Sequence, residues 1–200
     1  AQATGMSGVL FAAIAACLPI LVTGGIHMDG YLDTVDALSS HQTCEKKLAI
    51  MKDANCGAFA VIYGGVYLLA YAGFAYEVFA AGHILLICPL FVLSRALSGL
   101  CAVNLPNARK SGMLCAFTSG VQRRTATVAL TLVGLAAAAG MVWMSPTAGG
   151  MAAAFVVVSA LKYRRFALAQ FGGVTGDTSG FFLQLCELCG LIGVWIGGLL

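Results

Sequence analysis

Charged residues are scarce in this sequence, and their scarcity excludes several classes of protein. Of the 200 residues only 10% are Asp, Glu, Lys or Arg, whereas a soluble globular domain carries about 25%. An ordinary soluble enzyme is therefore excluded, and so is intrinsic disorder, which requires low hydrophobicity and high net charge. The formal net charge is only +3 and no basic cluster is interleaved with aromatic residues, so we expect no nucleic-acid partner.

The sequence also lacks the cysteine pattern of a disulfide scaffold or a zinc site, and it lacks nucleotide-binding fingerprints. Most of the eight cysteines lie in apolar stretches without the paired spacing of a disulfide scaffold or a zinc site. Cys186 and Cys189 have the spacing of a redox motif, but they lie in an apolar segment and we interpret them as packing residues. Neither a Walker A motif nor a dinucleotide fingerprint is present.

Apolar residues dominate the rest of the chain. Hydrophobic residues make up 60% of it, the mean hydropathy is +0.92, and 25 glycines allow helices to pack closely. Since a bilayer core takes about 20 apolar residues per helix, we predict an all-α, polytopic membrane bundle of about six transmembrane helices. No repeat or long linker divides the chain, so we expect residues 1–200 to form a single domain. The predicted spans are residues 6–22, 56–76, 82–101, 125–144, 148–161 and 181–200.

Lysine and arginine lie on one side of the predicted bundle. Ten of the eleven lie in three long segments between spans, residues 23–54, 102–124 and 162–180, and none lies in the short segments 77–81 and 145–147. By the positive-inside rule, which counts lysine and arginine alone, the long segments are cytoplasmic. We therefore predict a multi-pass protein of the inner (cytoplasmic) membrane, with the lipid bilayer as a partner and the functional site on the cytoplasmic face.

Acidic residues are concentrated even more strongly, because five of the eight carboxylates fall between positions 29 and 53. Asp29, Asp33 and Asp36 are spaced so that on a helix they project from one face. Three like charges on one face repel one another unless a divalent cation or a metal-bound polyphosphate neutralises them, and carboxylate oxygens suit magnesium or manganese. The spacing therefore predicts a metal site, which Asp53 joins as a fourth carboxylate.

Polar and glycine residues border this acidic face. Gly24 and Gly25 let the backbone turn as it leaves the first span and approach a ligand closely. His27, two residues before Asp29, is a candidate phosphate ligand or base. Lys52 either holds a phosphate oxygen or serves only as an interfacial lysine that sets the topology, and both interpretations remain open.

A second polar segment precedes the last span. Residues 172–180 read GGVTGDTSG, a glycine-rich turn around Asp177. Glu187 follows inside the apolar helix, where an ionised group is costly unless it is paired or hydrated, so it is a candidate functional residue. Arg95 is the only cation within a predicted span, and an Arg95–Glu187 pair would stabilise both groups.

Three blocks of this sequence, in this order, resemble one family of enzymes. They are TGGIHMDGYLDTVDAL at residues 23–38, IMKDANCG at 50–57 and GVTGDTSGFFLQLCE at 173–187. Over essentially its whole length the chain resembles the cobalamin synthase family, adenosylcobinamide-GDP ribazoletransferase. The resemblance implies an integral membrane enzyme that transfers adenosylcobinamide phosphate from adenosylcobinamide-GDP to α-ribazole or its 5′-phosphate. The implied products are GMP and adenosylcobalamin or its 5′-phosphate.

The resemblance also implies roles for individual residues, with Mg²⁺ as the cofactor. The four aspartates named above match the family's aspartates and are expected to be catalytic and to hold the metal and the diphosphate. His27 is a further catalytic candidate. The identity of the general base is left open. Whether the protein forms a homo-oligomer is also left open. The expected substrate-binding residues are Gly24, Gly25, Lys52, Gly57, Arg95, Thr175, Asp177 and Glu187.

The sequence departs from the family pattern at a few positions. The family commonly has an acid where this chain has Ala49, and often another where it has Gln184, so we expect neither carboxylate to be essential here. Tyr31 and Ala54 replace a usual leucine and a usual serine, changes that bear on fine specificity and leave the aspartates in place. Family members usually begin with a further segment that contains an arginine-proline motif and another membrane helix, which we expect residues 1–200 to lack.

Two other functions would account for part of the pattern. The CDP-alcohol phosphotransferases also use clustered aspartates beside a glycine at the cytoplasmic face of a helical bundle, but their motif has a different order. An ion-coupled transporter could place Asp29, Asp33 and Glu187 along a permeation path. A transporter would be expected to have a pseudo-symmetric second half, whereas no second half mirrors the acidic cluster in this sequence.

Overall fold

The computed structural model describes residues 5–109 and 111–200, and within these ranges the fold is all-α, as predicted. The described chain contains nine α-helices and a 3₁₀ turn (Ile84–Leu86), and its only extended pairing is an isolated bridge between Asn107 and Val174. Lys110, one of the ten cations in the long segments, lies outside the described residues. The helices are α1 (Gly8–Val22), α2 (Ile26–Ser39), α3 (Cys44–Ile50), α4 (Ala58–Ala80), α5 (Ile87–Asn104), α6 (Met113–Ser119), α7 (Arg123–Met144), α8 (Pro146–Phe171) and α9 (Gly176–Gly198).

Each predicted span coincides with a helix. Helices α1, α4, α5, α7, α8 and α9 overlap the six predicted spans in that order. Among the described residues, four helices are long and apolar enough to cross a membrane, namely α4, α5 together with its 3₁₀ turn, α7 and α9. The bent pair of α1 and α2 makes a fifth if it is counted as one span. The helices fit a multi-pass membrane bundle, and the number of six spans stays a prediction.

The segments between the predicted spans contain more helix than their polar sequences suggested. Helices α2 and α3 lie within residues 23–54, and α6 lies within 102–124. Helix α8 continues past the predicted end of its span and ends at Phe171. The extension, LKYRRFALAQF, consists largely of leucine, lysine, arginine, alanine and glutamine, which favour helix even outside an apolar span. Gly172 then ends the helix in the left-handed conformation, with φ of 72°.

A sharp bend separates α1 from α2. Gly24 and Gly25 have φ values of 63° and 80°, which residues with a side chain rarely adopt. The two helix axes differ in direction by 93°. The predicted glycine turn at the end of the first span is therefore confirmed, and after it α2 packs against α4 and α9.

Helix α9 forms the core of the bundle. It packs against α2, α4, α5 and α8, and 61% of its most apolar stretch is buried, compared with 17% to 33% for the other three candidate spans. Cys186, Leu191 and Val194 are fully buried on this helix, which agrees with the packing role expected of Cys186. Ala152 and Ala167 are fully buried on α8, because small side chains let two membrane helices approach closely.

The contact between α2 and α9 is close enough to involve both backbones. A Cβ atom added to Gly30 would lie 2.7 Å from the carbonyl oxygen of Asp177, and one added to Gly180 would lie 2.8 Å from that of His27. Packed atoms do not approach this closely without strain, so neither position accommodates a side chain as the helices stand. The two glycines therefore allow the first turns of α2 and α9 to lie side by side.

The long segments meet at one end of the bundle. The segment after α5 pairs with the turn before α9 through the Asn107–Val174 bridge, and α2 crosses the first turns of α9 at the same end. The short segment between α4 and α5 lies at the opposite end, where His83 is beside Gly198. The alternation of long and short segments thus corresponds to two ends of the bundle, and the cytoplasmic assignment of the long-segment end stays a prediction.

Replacing Gly30 by alanine should destabilise the protein, because the added methyl group would push α2 and α9 apart. We expect the free energy of unfolding to fall by about 1–3 kcal/mol, as for other overpacked contacts, and the Tm of the detergent-solubilised protein to fall by several degrees. Gly65→Ala is the matched control, since a Cβ at this helical glycine of α4 meets no atom within 4 Å. An unchanged Tm for Gly30→Ala would contradict the close crossing.

Candidate active site

A cavity of about 380 Å³ lies where the first turns of α2 and α9 meet the segment after α5. Its polar wall includes His27 and Asp29 from α2, Thr175 and Asp177 from the N-terminal end of α9, and Arg109 from the segment after α5. Apolar side chains of α6 line another part of the wall. The volume lies within the range of small-molecule sites, and several polar groups converge on it, so this cavity is the candidate active site.

Carboxylates of α2 and α9 form one acidic cluster beside the cavity. Asp33 lies one helical turn beyond Asp29 and interacts electrostatically with Asp29 and Asp36. It also interacts with Asp177, and with Arg109, whose opposite charge attracts it. The predicted acidic face is therefore present on α2, and the crossing with α9 adds Asp177 to it. Like charges gathered in this way favour the binding of a cation.

Arg109 joins three segments of the chain at the cavity. Its Nη1 donates a hydrogen bond to Asp177 Oδ2 over 2.7 Å, forming an ion pair, and its Nη2 donates to the carbonyl oxygen of Leu48 over 3.2 Å. The neighbouring backbone is fixed too, because the N–H of Val174 donates to the carbonyl oxygen of Pro106 over 2.9 Å. One side chain thus links α3 and the start of α9 to the segment after α5.

The glycine-rich turn before α9 is held by a capping box. The Thr175 hydroxyl accepts a hydrogen bond from the N–H of Thr178 over 3.0 Å, and the Thr178 hydroxyl accepts one from the N–H of Thr175 over 2.9 Å. Tyr163 of α8 donates to the Thr178 hydroxyl over 3.1 Å. Thr175 is itself buried. Its contacts fix the backbone that carries Asp177 into the cavity wall.

Asp36 caps helix α4 and does not line the cavity. Its two carboxylate oxygens accept hydrogen bonds from the N–H groups of Gly57 and Ala60, the latter over 2.8 Å. These groups lie at the start of α4, which has no side-chain cap from its own N-terminal residue. A Cβ atom at Gly57 would lie 2.7 Å from this carboxylate. Asp36 and Gly57 therefore share a structural role that the sequence did not reveal.

Lys52 and Asp53 lie in the exposed segment between α3 and α4. Asp53 accepts hydrogen bonds from the backbone N–H and the side-chain amide of Asn55, over 3.0 Å and 2.8 Å. These two bonds lower the pKa of Asp53. Neither Lys52 nor Asp53 is among the residues that line the cavity, so the structure does not bring them to the other predicted site residues.

Comparison with protein families identifies the group of proteins to which this sequence is related. The sequence model described as cobalamin-5-phosphate synthase matches residues 1–195. The chain belongs to the cobalamin-5-phosphate synthase family. This match supports the transferase interpretation over the CDP-alcohol phosphotransferase and transporter alternatives. No solved structure matches the chain.

Three similar proteins are each named adenosylcobinamide-GDP ribazoletransferase. The protein from Lachnoclostridium phytofermentans is 41% identical over 185 residues, which cover 92% of this chain and 70% of that protein. The protein from Pseudomonas fluorescens is 31% identical over 189 residues, with coverages of 93% and 76%. The protein from Azorhizobium caulinodans is 30% identical over 201 residues, with coverages of 98% and 75%. The similarity therefore extends over nearly the whole chain.

In this member of the cobalamin-5-phosphate synthase family, the fold brings together the predicted site residues of α2 and α9. His27, Asp29, Thr175 and Asp177 line the cavity, and Asp33 interacts electrostatically with both cavity aspartates. The two glycines of the α1–α2 turn precede this wall in the chain without lining it. The middle sequence block, by contrast, runs from the end of α3 to Gly57, the residue before α4, and none of its residues lines the cavity.

Arg109 is the cavity residue that the sequence did not single out. In the sequence it contributes only to the topology prediction, although it follows Pro106 on the same predicted face as the acidic cluster. A cation at the face that carries most of the carboxylates is a signal of charge complementarity, and it was available from the sequence. Ser98 and Asn107 also line the cavity, and no sequence signal distinguished them.

The predicted pair of Arg95 and Glu187 is present in the structure. Arg95 Nη1 donates a hydrogen bond to Glu187 Oε1, and Ser94 donates to the same oxygen over 3.2 Å. Nearby, Tyr67 donates a hydrogen bond to Gln184, the position at which the family often has an acid. The ion pair stabilises two charges inside the bundle, and the substrate-binding role expected of Arg95 and Glu187 stays a prediction.

The carboxylates at the cavity fit a magnesium ion that binds together with phosphate. Among the residues that the structure describes, no group of three or more His, Cys, Asp or Glu side chains is arranged to hold a metal by itself. Mg²⁺ is usually held by one or two carboxylates together with substrate phosphates. Asp29 and Asp177 both line the cavity and interact electrostatically, so their number and chemistry suit such an ion.

Removing the carboxylate of Asp36 should lower stability, whereas removing that of Asp53 should not. We expect Asp36→Ala to cost about 1–2 kcal/mol, because two N–H groups at the start of α4 lose their acceptor. Asp53→Ala should leave the Tm nearly unchanged, since the Asp53 carboxylate is fully exposed. Thermal unfolding of the two variants measures the difference, and equal losses of stability would contradict the capping role.

Removing only one charge of the Arg95–Glu187 pair should destabilise the protein more than removing both. Arg95→Met leaves a carboxylate that exposes 3% of its side chain without a counterion, and we expect a loss of about 3 kcal/mol. This value is at the low end for buried pairs because Arg95 keeps 38% of its side chain exposed. The double variant Arg95→Met, Glu187→Met should recover most of the lost Tm. A double variant less stable than Arg95→Met would argue against the pair.

Proposed function

We propose that this protein is an adenosylcobinamide-GDP ribazoletransferase. It transfers adenosylcobinamide phosphate from adenosylcobinamide-GDP to α-ribazole or α-ribazole 5′-phosphate, releasing GMP and forming adenosylcobalamin or its 5′-phosphate. Family membership and the names of its relatives support this activity. The structural observation that carries the proposal is the cavity where Asp29, Asp177 and Arg109 meet, because a diphosphate substrate requires both metal-binding carboxylates and a cationic donor.

The proposed reaction replaces a phosphoanhydride bond of the donor by a phosphate ester bond to the acceptor. A hydroxyl oxygen of α-ribazole attacks the phosphorus atom that carries the adenosylcobinamide group, and a new P–O bond forms. The bond from that phosphorus to the bridging oxygen of the diphosphate breaks, and GMP leaves with that oxygen and the electron pair. The hydroxyl proton passes to a base at the cavity wall, for which His27 and Asp29 are the candidates.

We infer that the acidic cluster takes Mg²⁺ together with the diphosphate. Asp29 and Asp177 line the cavity and Asp33 is adjacent to them, so these three are the carboxylates best placed to share the ion with phosphate oxygens. When bound, Mg²⁺ neutralises charge that develops on the departing GMP. Asp36 and Asp53, also expected from the sequence to hold metal, have other surroundings: Asp36 caps α4 and Asp53 lies away from the cavity.

The size of the cavity limits which part of the substrate it holds. A volume of about 380 Å³ accommodates a diphosphate and the groups next to it, whereas the much larger corrin ring extends outside. The apolar wall formed by α6 offers a surface for the less polar parts of the substrate. The protein's own contribution is to orient the phosphorus atom, the attacking hydroxyl and the base relative to one another.

Charge distribution supports an active site on the cytoplasmic face of the inner membrane. The cavity lies at the end of the bundle where the long, lysine- and arginine-containing segments meet, and such segments remain in the cytoplasm. Both substrates would then reach the cavity from the cytoplasm without crossing the bilayer.

Release of GMP from adenosylcobinamide-GDP and α-ribazole by the purified, reconstituted protein tests this proposal. We expect release to require Mg²⁺ and to fall by about 100-fold or more in Asp29→Asn, a loss typical of removing a charged group from a reacting centre. Asp29 is exposed at the cavity, so the variant should fold normally. Glu77→Gln is the matched control, because Glu77 is exposed near the C-terminal end of α4 and far from the cavity.

Each outcome of this assay bears on a different part of the proposal. No GMP release from the unmodified protein would contradict the transferase activity. Normal release by Asp29→Asn would leave the activity standing and contradict the role of Asp29. Release that is independent of Mg²⁺ would contradict the metal.

A further inference from the structure

A diphosphate substrate would be bound in this cavity by a lysine or arginine side chain. The structure shows which of these side chains line the cavity. Among the described residues that line the cavity, Arg109 is the only lysine or arginine. Lys52, the phosphate ligand considered from the sequence, lies in the exposed segment before α4 and does not line the cavity. Arg95 is engaged by Glu187 inside the bundle. Among the described residues, the remaining candidate is therefore Arg109, which the sequence assigned only to topology.

Two contacts hold the guanidinium group of Arg109 in place, and some of its N–H donors have no hydrogen-bond partner among the described residues. An arginine side chain has five N–H donors in a rigid plane. The structure engages Nη1 with Asp177 and Nη2 with the carbonyl oxygen of Leu48. The Nε atom is buried and has no hydrogen-bond partner among the described residues. The side chain keeps 20% of its surface exposed, and each Nη atom carries a second N–H besides the one engaged. The donors available to a ligand at the cavity wall are therefore those of Nη1 and Nη2.

An oriented guanidinium with spare donors suits a phosphate group. Arginine binds phosphate through parallel N–H···O bonds, which fix the orientation of the phosphate as well as adding binding energy. Asp177 and Leu48 contact the guanidinium from two different segments of the chain, so little side-chain freedom is lost when an anion binds. Arg109 also lies in electrostatic contact with Asp33, and this attraction keeps the cation beside the acidic cluster.

We propose that Arg109 is the residue that binds the diphosphate of adenosylcobinamide-GDP, with Asp177 and the Leu48 carbonyl orienting its guanidinium group. This inference rests on the proposed transferase function and adds the residue that recognises the donor substrate. It also distinguishes the two substrates, because the acceptor α-ribazole carries no diphosphate and does not need Arg109 for binding.

Equilibrium binding of adenosylcobinamide-GDP to the purified protein, without α-ribazole and without Mg²⁺, tests the inference directly. Arg109→Gln should weaken binding by about tenfold or more, because a charge-assisted pair with phosphate is lost. The affinity of Arg109→Lys for adenosylcobinamide-GDP should lie between those of Arg109→Gln and the unmodified protein, since lysine keeps the charge but not the planar donor geometry. Arg124→Gln is the matched control, because Arg124 is an exposed arginine at the start of α7 that does not line the cavity.

Binding of α-ribazole separates phosphate binding from a purely structural role of Arg109. If Arg109 only tied the segments of the chain together, Arg109→Gln would disturb the whole cavity and would weaken the binding of α-ribazole as much as that of adenosylcobinamide-GDP. Loss of a diphosphate ligand should weaken only the binding of adenosylcobinamide-GDP. Steady-state kinetics add a second readout, in which Arg109→Gln should raise the KM for adenosylcobinamide-GDP and leave the KM for α-ribazole within about twofold, because only the donor carries the diphosphate.

The possible results separate this inference from the proposed function. Unchanged binding in Arg109→Gln, together with GMP release by the unmodified protein, would overturn the role of Arg109 and leave the transferase activity standing. Weakened binding in Lys52→Gln but not in Arg109→Gln would also overturn it, in favour of Lys52. Neither binding nor GMP release by the unmodified protein would overturn both.

Discussion

The close crossing of α2 and α9 is the contact on which the rest of the site depends. Because both backbones touch at Gly30 and Gly180, Asp29 and Asp177 reach the wall of one cavity although 148 positions of sequence numbering (177 − 29) separate them. Carboxylates placed so close repel one another, and the close van der Waals packing of α9 against α4, α5 and α8 opposes this repulsion. The stable core thus holds an arrangement of charges that would not assemble by itself.

Sequence reasoning succeeded where the signal was local. Apolar stretches located helices α1, α4, α5, α7, α8 and α9. The spacing of Asp29, Asp33 and Asp36 placed them on one helix, and the paired glycines before them predicted the bend. The Arg95–Glu187 pair was also predictable, since an isolated cation and an isolated acid in apolar helices need each other. Each of these inferences depends on residues whose surroundings can be judged from their own segment.

Two other roles depend on partners in distant segments that no local pattern in the sequence indicates. Asp36 belongs to the same periodic pattern as Asp29, yet its carboxylate is taken up by N–H groups that follow 21 and 24 residues later. Arg109 similarly acquires its place only through Asp177 and Leu48, which are 68 and 61 residues away. Residues of one type at regular spacing therefore differ in role, because the fold presents different partners to each.

The position of α9 in the chain has a consequence for the order in which the protein is assembled. This helix follows the other eight described helices in the sequence, and α2, α4, α5 and α8 all pack against it. During synthesis the earlier helices therefore enter the membrane before their central partner exists. Until α9 is inserted, Arg95 has no counterion, the start of α2 has no helix to cross, and the cavity has only part of its wall. Completion of the cavity wall is thus coupled to the insertion of the last described helix.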